Sequence, residues 1–294
     1  MKLLIFATTL ILLGGAGSAL AKDIDAVASF TVLADIAKQI GGAHIRVSSL
    51  VGPNGDPHAY EPTPQDAAAL VQAELIFVNG LGLEGWIDRL IRASGTRGTV
   101  VVVSDGIAIL QGTKDGRQVP DPHVWNSAAN GAIYAANIAK ALIAADPADA
   151  ADYRANDSRY EAELRDLDAW AHREVEAIPA DERKVITSHD AFGYMGAAYG
   201  IEFRAPVGFS TEAEPSASTV AALIDQIKRD NIRAVFLENT TDPRLVEQIA
   251  AATGVRLGGT LYAEALSPPS GPAPSYVAMF RYDIETLVSG MRAN

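Results

Sequence analysis

The chain has 294 residues, no cysteine and a formal net charge of −12, from 24 Lys and Arg against 36 Asp and Glu. So acidic a surface repels phosphate backbones, which argues against a nucleic-acid partner. Without a thiol, disulfides and thiolate metal ligands are both excluded.

The first 21 residues, MKLLIFATTLILLGGAGSALA, give a lysine, an apolar run from Leu3 to Leu13 and small residues ending Ala19-Leu20-Ala21. That is the pattern of a cleaved signal peptide, expected to be removed before Lys22, and no cysteine follows to carry a lipid. No other apolar run approaches membrane length, so the mature protein is expected to be exported and soluble. Its length of about 270 residues suffices for two lobes, whose stability must come from burial.

From residue 22 onward, IDAVASF (24 to 30), HIRVSSLVG (44 to 52), AELIFVNG (73 to 80) and TVVVVSD (99 to 105) read as strands. Helix-length segments such as TVLADIAKQIGG and EGWIDRLIRAS separate them, and this alternation predicts a parallel sheet covered on both faces. The pattern returns in RKVITSH (183 to 189), IEFRAPV (201 to 207), IRAVFLE (232 to 238) and VRLGGTLY (255 to 262), with helical stretches around 193 to 199, 216 to 230, 243 to 253 and 273 to 291. The fold class is therefore α/β, with two lobes, each built on a mainly parallel sheet. Between them, Asp146-Pro147 reads as an N-cap followed by a first-turn proline, and Pro179 marks the far end. Tyr153, Tyr160, Leu164, Leu167, Ala171, Val175 and Ile178 fall on one helical face. The expected organisation is a signal peptide at 1–21, an N-terminal lobe at 22–145, a long linking helix at 146–179 and a C-terminal lobe at 180–294.

Gly80-Leu81-Gly82-Leu83-Glu84-Gly85 matches G-x-G-x-x-G, and Asp105 ends the following strand. The fingerprint belongs at the first strand of its sheet, however, and this is the third. A glycine-rich strand-to-helix turn is the preferred reading.

The five histidines sort by context. His172 lies on the linking helix one turn from Asp168 and Glu176, which points to a solvated or ion-paired role. His44 opens a strand, with no acidic or histidine residue near it in sequence, and reads as structural. His58 in GDPHAYEP, His123 in PDPHVWN and His189 in ITSHDAF instead sit at strand ends or in loops. Two of them follow Asp-Pro, which stiffens the turn presenting the imidazole. In a parallel α/β fold ligands bind beyond the carboxyl ends of the strands, so three such histidines spread over two lobes point to a metal site in a shared cleft.

The segments DPHAYEPTPQD, VNGLGLEGWIDRL, DPHVWNSAANGAIYAANIAKAL and VITSHDAFGYMGAAYGIE resemble, in order and over nearly the whole mature chain, the motifs of the zinc- and manganese-binding solute receptors of bacterial ABC importers. The resemblance implies two four-stranded α/β lobes joined by a long backbone helix. It also implies a metal held by His58, His123 and His189, with Glu264 in LYAEALSPPSG standing where the family pattern has an aspartate. NGLGLEGW resembles a structural turn of that family. The His-rich loop that zinc receptors often carry between their first two ligand histidines corresponds here to GIAILQGTKDGRQVPD, which contains no histidine.

Manganese receptors of the family tend to place a carboxylate at the third position, whereas His189 makes three imidazoles, a donor set suited to Zn²⁺. The function so implied is a periplasmic zinc receptor that binds one Zn²⁺ as transported ligand and delivers it to an inner-membrane ABC permease. It is expected to act as a monomer, and a periplasmic zinc donor protein is a further candidate partner. Two alternatives stay open: a manganese receptor of the same family, and a zinc-dependent hydrolase with Glu61 as general base. Against an enzyme stands the lack of any H-E-x-x-H helix, and Ser188-His189-Asp190, being contiguous, cannot form a triad.

Overall fold

A computed structural model describes residues 23–114, 117–212, 215–230, 232 and 234–292; the expected signal peptide lies outside them. The N-terminal sheet consists of β1 (Ile24–Ala28), β2 (Ile45–Ser49), β3 (Leu75–Val78) and β4 (Thr99–Val102), all parallel, in the order β2-β1-β3-β4. The C-terminal sheet consists of β7 (Lys184–Ile186), β8 (Glu202–Arg204), β9 (Ala234–Glu238) and β10 (Arg256–Leu261), again parallel, in the order β10-β9-β7-β8. All eight segments read as strands from their β-branched runs are therefore strands. β3 is buried along its whole length, as a central parallel strand covered on both faces must be.

The helices between the strands are α1 (Thr31–Gly41), α2 (Pro64–Gln72), α3 (Ile87–Ser94) and α4 (Ala128–Ala145) in the first lobe. Those of the second are α6 (Gly193–Tyr199), α7 (Ala217–Asp230), α8 (Arg244–Thr253) and α9 (Tyr276–Arg292). α2 was not anticipated, although its start is written in Thr63-Pro64-Gln65-Asp66. Thr63 and Asp66 form a reciprocal capping box with proline at the first helical position.

The joining helix, α5 (Ala150–Glu176), has 27 residues and so measures about 40 Å. It starts later than Asp146-Pro147 led us to expect. α4 runs on to Ala145, and Asp146 serves as its C-cap, with its N–H donating to the Leu142 carbonyl. A residue before proline is steered away from helical geometry, so Asp146 ends one helix rather than capping the next. Its carboxylate accepts from the Tyr153 hydroxyl at 2.9 Å and so pins the turn to the spine. The apolar stripe on α5 holds as read, since Tyr153, Tyr160, Leu164, Leu167, Ala171 and Val175 are all buried, and Ile178 just beyond the helix with them. They join one continuous core that takes in residues of both lobes, while a smaller cluster under α7 and α8 fills the far side of the second sheet.

A short antiparallel hairpin, β5 (Gln111–Lys114) and β6 (Arg117–Pro120), lies in the stretch read from sequence as a histidine-free loop. Asp-Gly between two short runs is the sequence signal of such a hairpin.

Because Leu167 is fully buried where the spine meets the shared core, Leu167→Ala is expected to lower unfolding stability by about 2–5 kcal/mol. Chemical denaturation followed by circular dichroism checks this, and a loss below about 1 kcal/mol would show that the spine is not part of the cooperative core.

Candidate metal centre

His58 and His123 are presented by two turns built alike. In each Asp-Pro-His, the aspartate Oδ1 accepts the N–H of the histidine two residues on, at 2.8 Å for Asp56 and 2.9 Å for Asp121. This is an Asx turn with a proline locking its middle. In each, the prolyl carbonyl is then fastened by a donor from the loop after β3: Trp86 Nε1 to Pro57 O at 2.8 Å and Asn79 Nδ2 to Pro122 O at 2.9 Å. The glycine-rich stretch is thus the anchor of both turns. Gly80 and Gly82 have φ of 79° and 83°, a left-handed backbone natural to glycine. The buried Glu84 carboxylate takes the Asn79 and Gly80 N–H groups and the Ser29 hydroxyl. The N–H groups of Asn79 and Gly80 at the start of this loop are thus taken by the chain's own anion.

His189 follows β7, and its N–H and that of Ser188 both donate to Glu238 Oε1 at the end of β9, at 3.0 and 2.8 Å. Glu264 follows β10, between the fully buried Ala263 and Ala265. Trp125 Nε1 donates to Ala263 O at 2.9 Å, tying this segment to the one that carries His123.

All four side chains expected to hold a metal come together. His58 Nε2, His123 Nε2 and His189 Nε2 lie 2.7, 3.2 and 3.0 Å from one oxygen, Glu264 Oε1. His58 is 5 % exposed and the other three not at all. The second carboxylate oxygen, Glu264 Oε2, is buried without a hydrogen-bond partner. With ligand bonds of about 2.0–2.1 Å, tetrahedral donors stand about 3.3 Å apart, close to the separation of each imidazole nitrogen from Glu264 Oε1 and to the 3.2 Å between His58 Nε2 and His123 Nε2.

Two further carboxylates set the tautomers. Asp121 Oδ1 accepts from His123 Nδ1 at 2.9 Å, and Glu238 Oε2 from His189 Nδ1 in a very short contact. Each leaves Nε2 to face the centre, as outer carboxylates do around metal-binding imidazoles. Sequence reasoning missed both roles, although Asp121 belongs to the Asp-Pro-His motif and Glu238 closes the strand VFLE.

Burial alone would push the histidines toward the neutral form. Instead the hydrogen bonds from Asp121 and Glu264 leave His123 raised above its ordinary value, and the charges of Glu238 and Glu264 hold His189 well above it. Burial likewise works against the Glu264 carboxylate, but the charges of His58 and His189 keep it well below the usual range. The carboxylates thus favour positive charge at this centre, of the kind that a metal ion would bring.

The remaining candidates fall outside. Glu61 is exposed and is not part of the cluster, which removes the general base of the hydrolase reading. His172 is half-exposed, with Nε2 3.8 Å from Asp168, as expected of an ion-paired surface residue. His44, although without acidic neighbours in sequence, meets Asp149 through Nδ1 at 2.9 Å and Asp152 through Nε2 at 3.0 Å. Tertiary packing supplies what the local sequence lacked. Its two nitrogens face opposite ways, so this is an imidazole bridging two carboxylates at the start of α5 rather than a chelate.

The family described as zinc-uptake complex component A, periplasmic, matches residues 26–290. A manganese-binding lipoprotein of Halalkalibacterium halodurans is 31 % identical over 265 residues, covering 90 % of this chain and 87 % of that one. An iron ABC transporter substrate-binding lipoprotein of Streptococcus pyogenes is 32 % identical over 285 residues, covering 94 % and 92 %. Among solved structures, a periplasmic zinc-binding protein of Treponema pallidum superposes with a TM-score of 0.87 at 29 % identity, covering 92 % of this chain and 99 % of that one.

The raised proton affinity of His123 and His189 has a sign. A divalent ion must displace those protons to reach Nε2, so affinity is lost as pH falls and gained as pH rises toward their raised values. Calorimetric titrations of metal into the metal-free protein, run at neutral pH in buffers of different ionisation enthalpy, are expected to show a net release of about one proton or more per ion. Identical apparent enthalpies in all buffers would contradict it.

Proposed function

This chain belongs to the zinc-uptake complex component A family, the metal-binding receptors that serve ABC transporters, and from that membership we propose that it is a periplasmic receptor for Zn²⁺. It takes up one ion per chain at His58, His123, His189 and Glu264 and hands it to an inner-membrane ABC permease. The observation that carries the reading is the convergence of three imidazole nitrogens and one carboxylate oxygen at a single buried point. Imidazole-rich sets of four suit Zn²⁺, and nitrogen donors rank Mn²⁺ lowest among the divalent first-row ions. The ion is cargo, and each lobe supplies two of its ligands: His58 and His123 from the first, His189 and Glu264 from the second. We place the lobes at 22–145 and 180–294, with 146–179 as the linking segment and 1–21 as a cleaved export signal, and we take the working form to be a monomer.

A harder ion is the second reading, and the unpartnered Glu264 Oε2 favours it. Two-oxygen binding by that carboxylate would raise the coordination number to five and the oxygen count to two, which suits Mn²⁺ or Fe²⁺ better. The relatives named for manganese and iron keep this reading in view.

Native mass spectrometry of the protein equilibrated with equal Zn²⁺, Mn²⁺ and Fe²⁺, with and without chelator, separates the two. One zinc per chain is expected; two tightly held ions, or none, would refute the single site, and manganese or iron in its place would establish the second reading. In a chelator competition, His123→Ala is expected to weaken Zn²⁺ binding by more than about 100-fold, beyond the range of outer-shell substitutions. His172→Ala should leave it within about threefold, well under the 1.4 kcal/mol that a tenfold change represents. Glu264→Ala should weaken binding without abolishing it, because water can complete a three-imidazole centre. Equal losses in His123→Ala and His172→Ala would defeat the assignment.

A further inference from the structure

The donor cluster is closed to solvent, but beside it in the second lobe lies a cavity of about 400 Å³. Ser188 and His189 bound it at the end of β7, Thr240 and Thr241 after β9, and Thr211 and Asp56 where the two lobes meet. Asp56 accepts the Thr211 hydroxyl across that junction. His189 therefore belongs to both spaces, with the cluster on one side and the cavity on the other.

Three hydroxyl oxygens in this wall, Ser188 Oγ, Thr240 Oγ1 and Thr241 Oγ1, are buried without a hydrogen-bond partner. Ser188 as a whole is only 5 % exposed. Buried hydroxyls are ordinarily satisfied, so three in one wall point to a guest that brings its own donors and acceptors. Having no bond to lose, each can turn its O–H about the Cβ–Oγ bond, and each can both donate and accept. Charge narrows the guest further. Arg244 lies at the cavity, but its guanidinium is held by the Asp242 carboxylate, so the lining offers a guest the Asp56 carboxylate and the His189 imidazole rather than a free cation. A hydroxyl-rich chamber with a carboxylate in its lining suits a cation surrounded by water.

Size agrees. Six waters at about 30 Å³ each give a hydrated ion of roughly 180 Å³, less than half of the chamber. In the cluster each imidazole nitrogen stands 2.7 to 3.2 Å from Glu264 Oε1, which leaves no room there for an ion's water shell.

We propose that this cavity is an antechamber for the hydrated divalent cation. Ser188, Thr240 and Thr241 hold the ion's waters in the second coordination sphere as they leave, and His189 Nε2 receives the ion from that side. The inference rests on the receptor reading above and adds to it a place where the water shell is removed. Because the hydroxyls act on the transfer and not on the bound state, they set rates and leave affinity alone.

Stopped-flow binding of Zn²⁺ from its simple salt, in a non-coordinating buffer, tests this with Ser188→Ala/Thr240→Val/Thr241→Val. Three lost hydrogen bonds in the transfer state are expected to slow association about tenfold and dissociation by the same factor, leaving Kd unchanged. Thr240→Ser/Thr241→Ser, which keeps both hydroxyls, is expected to keep the native rates. Unaltered rates in the triple variant would overturn the antechamber. A weaker Kd carried by faster dissociation alone would overturn it too, by showing that the hydroxyls hold the bound ion. If the native chain takes up no divalent ion, the receptor reading falls, and the antechamber with it.

Discussion

One carboxylate oxygen, Glu264 Oε1, receives three imidazole nitrogens in a region that water does not reach. A charge so placed is tolerable only if it is paired, and removing one partner from such a group is far more damaging than never having built it. The outer carboxylates follow from that constraint. Asp121 and Glu238 neutralise the imidazoles from behind and fix which nitrogen faces inward. The contacts of His58 and His123 with Glu264 Oε1 join the first lobe to the second at this point.

The scaffold explains how four short loops hold donor atoms to within tenths of an ångström. Parallel strands bring their carboxyl ends to a common edge, and each donor stands just beyond such an end or in a turn pinned to one. Behind them the α5 stripe of tyrosines, leucines and alanines passes through a core that belongs to both lobes. A continuous core resists bending in a way that a polar linker does not.

Much of this was legible in the sequence. Strand runs such as AELIFVNG and IRAVFLE announce themselves by β-branched and aromatic content, and the stripe on α5 by its spacing. His58 and His123 stood out through their prolines and His189 by its place at a strand end, whereas Glu264 was found only through family likeness, since nothing local marks it. What stayed hidden is tertiary. No local pattern says that Glu238 lies behind His189, forty-nine positions away, or that Asp149 and Asp152 reach His44. The late start of α5 was missed because Asp-Pro opens a helix in one context and closes the preceding one in another, and the run-on of α4 decides between them.

The glycine-rich loop after β3 fastens both Asp-Pro-His turns, through Asn79 to Pro122 and through Trp86 to Pro57. Two histidines of the candidate site, sixty-five positions apart, therefore share one mooring. Variation there cannot retune one histidine at a time; it shifts the pair. The first lobe's half of the site is inherited as a block, so the room for adjusting one donor independently lies in the second lobe, where His189 and Glu264 hang from separate strands.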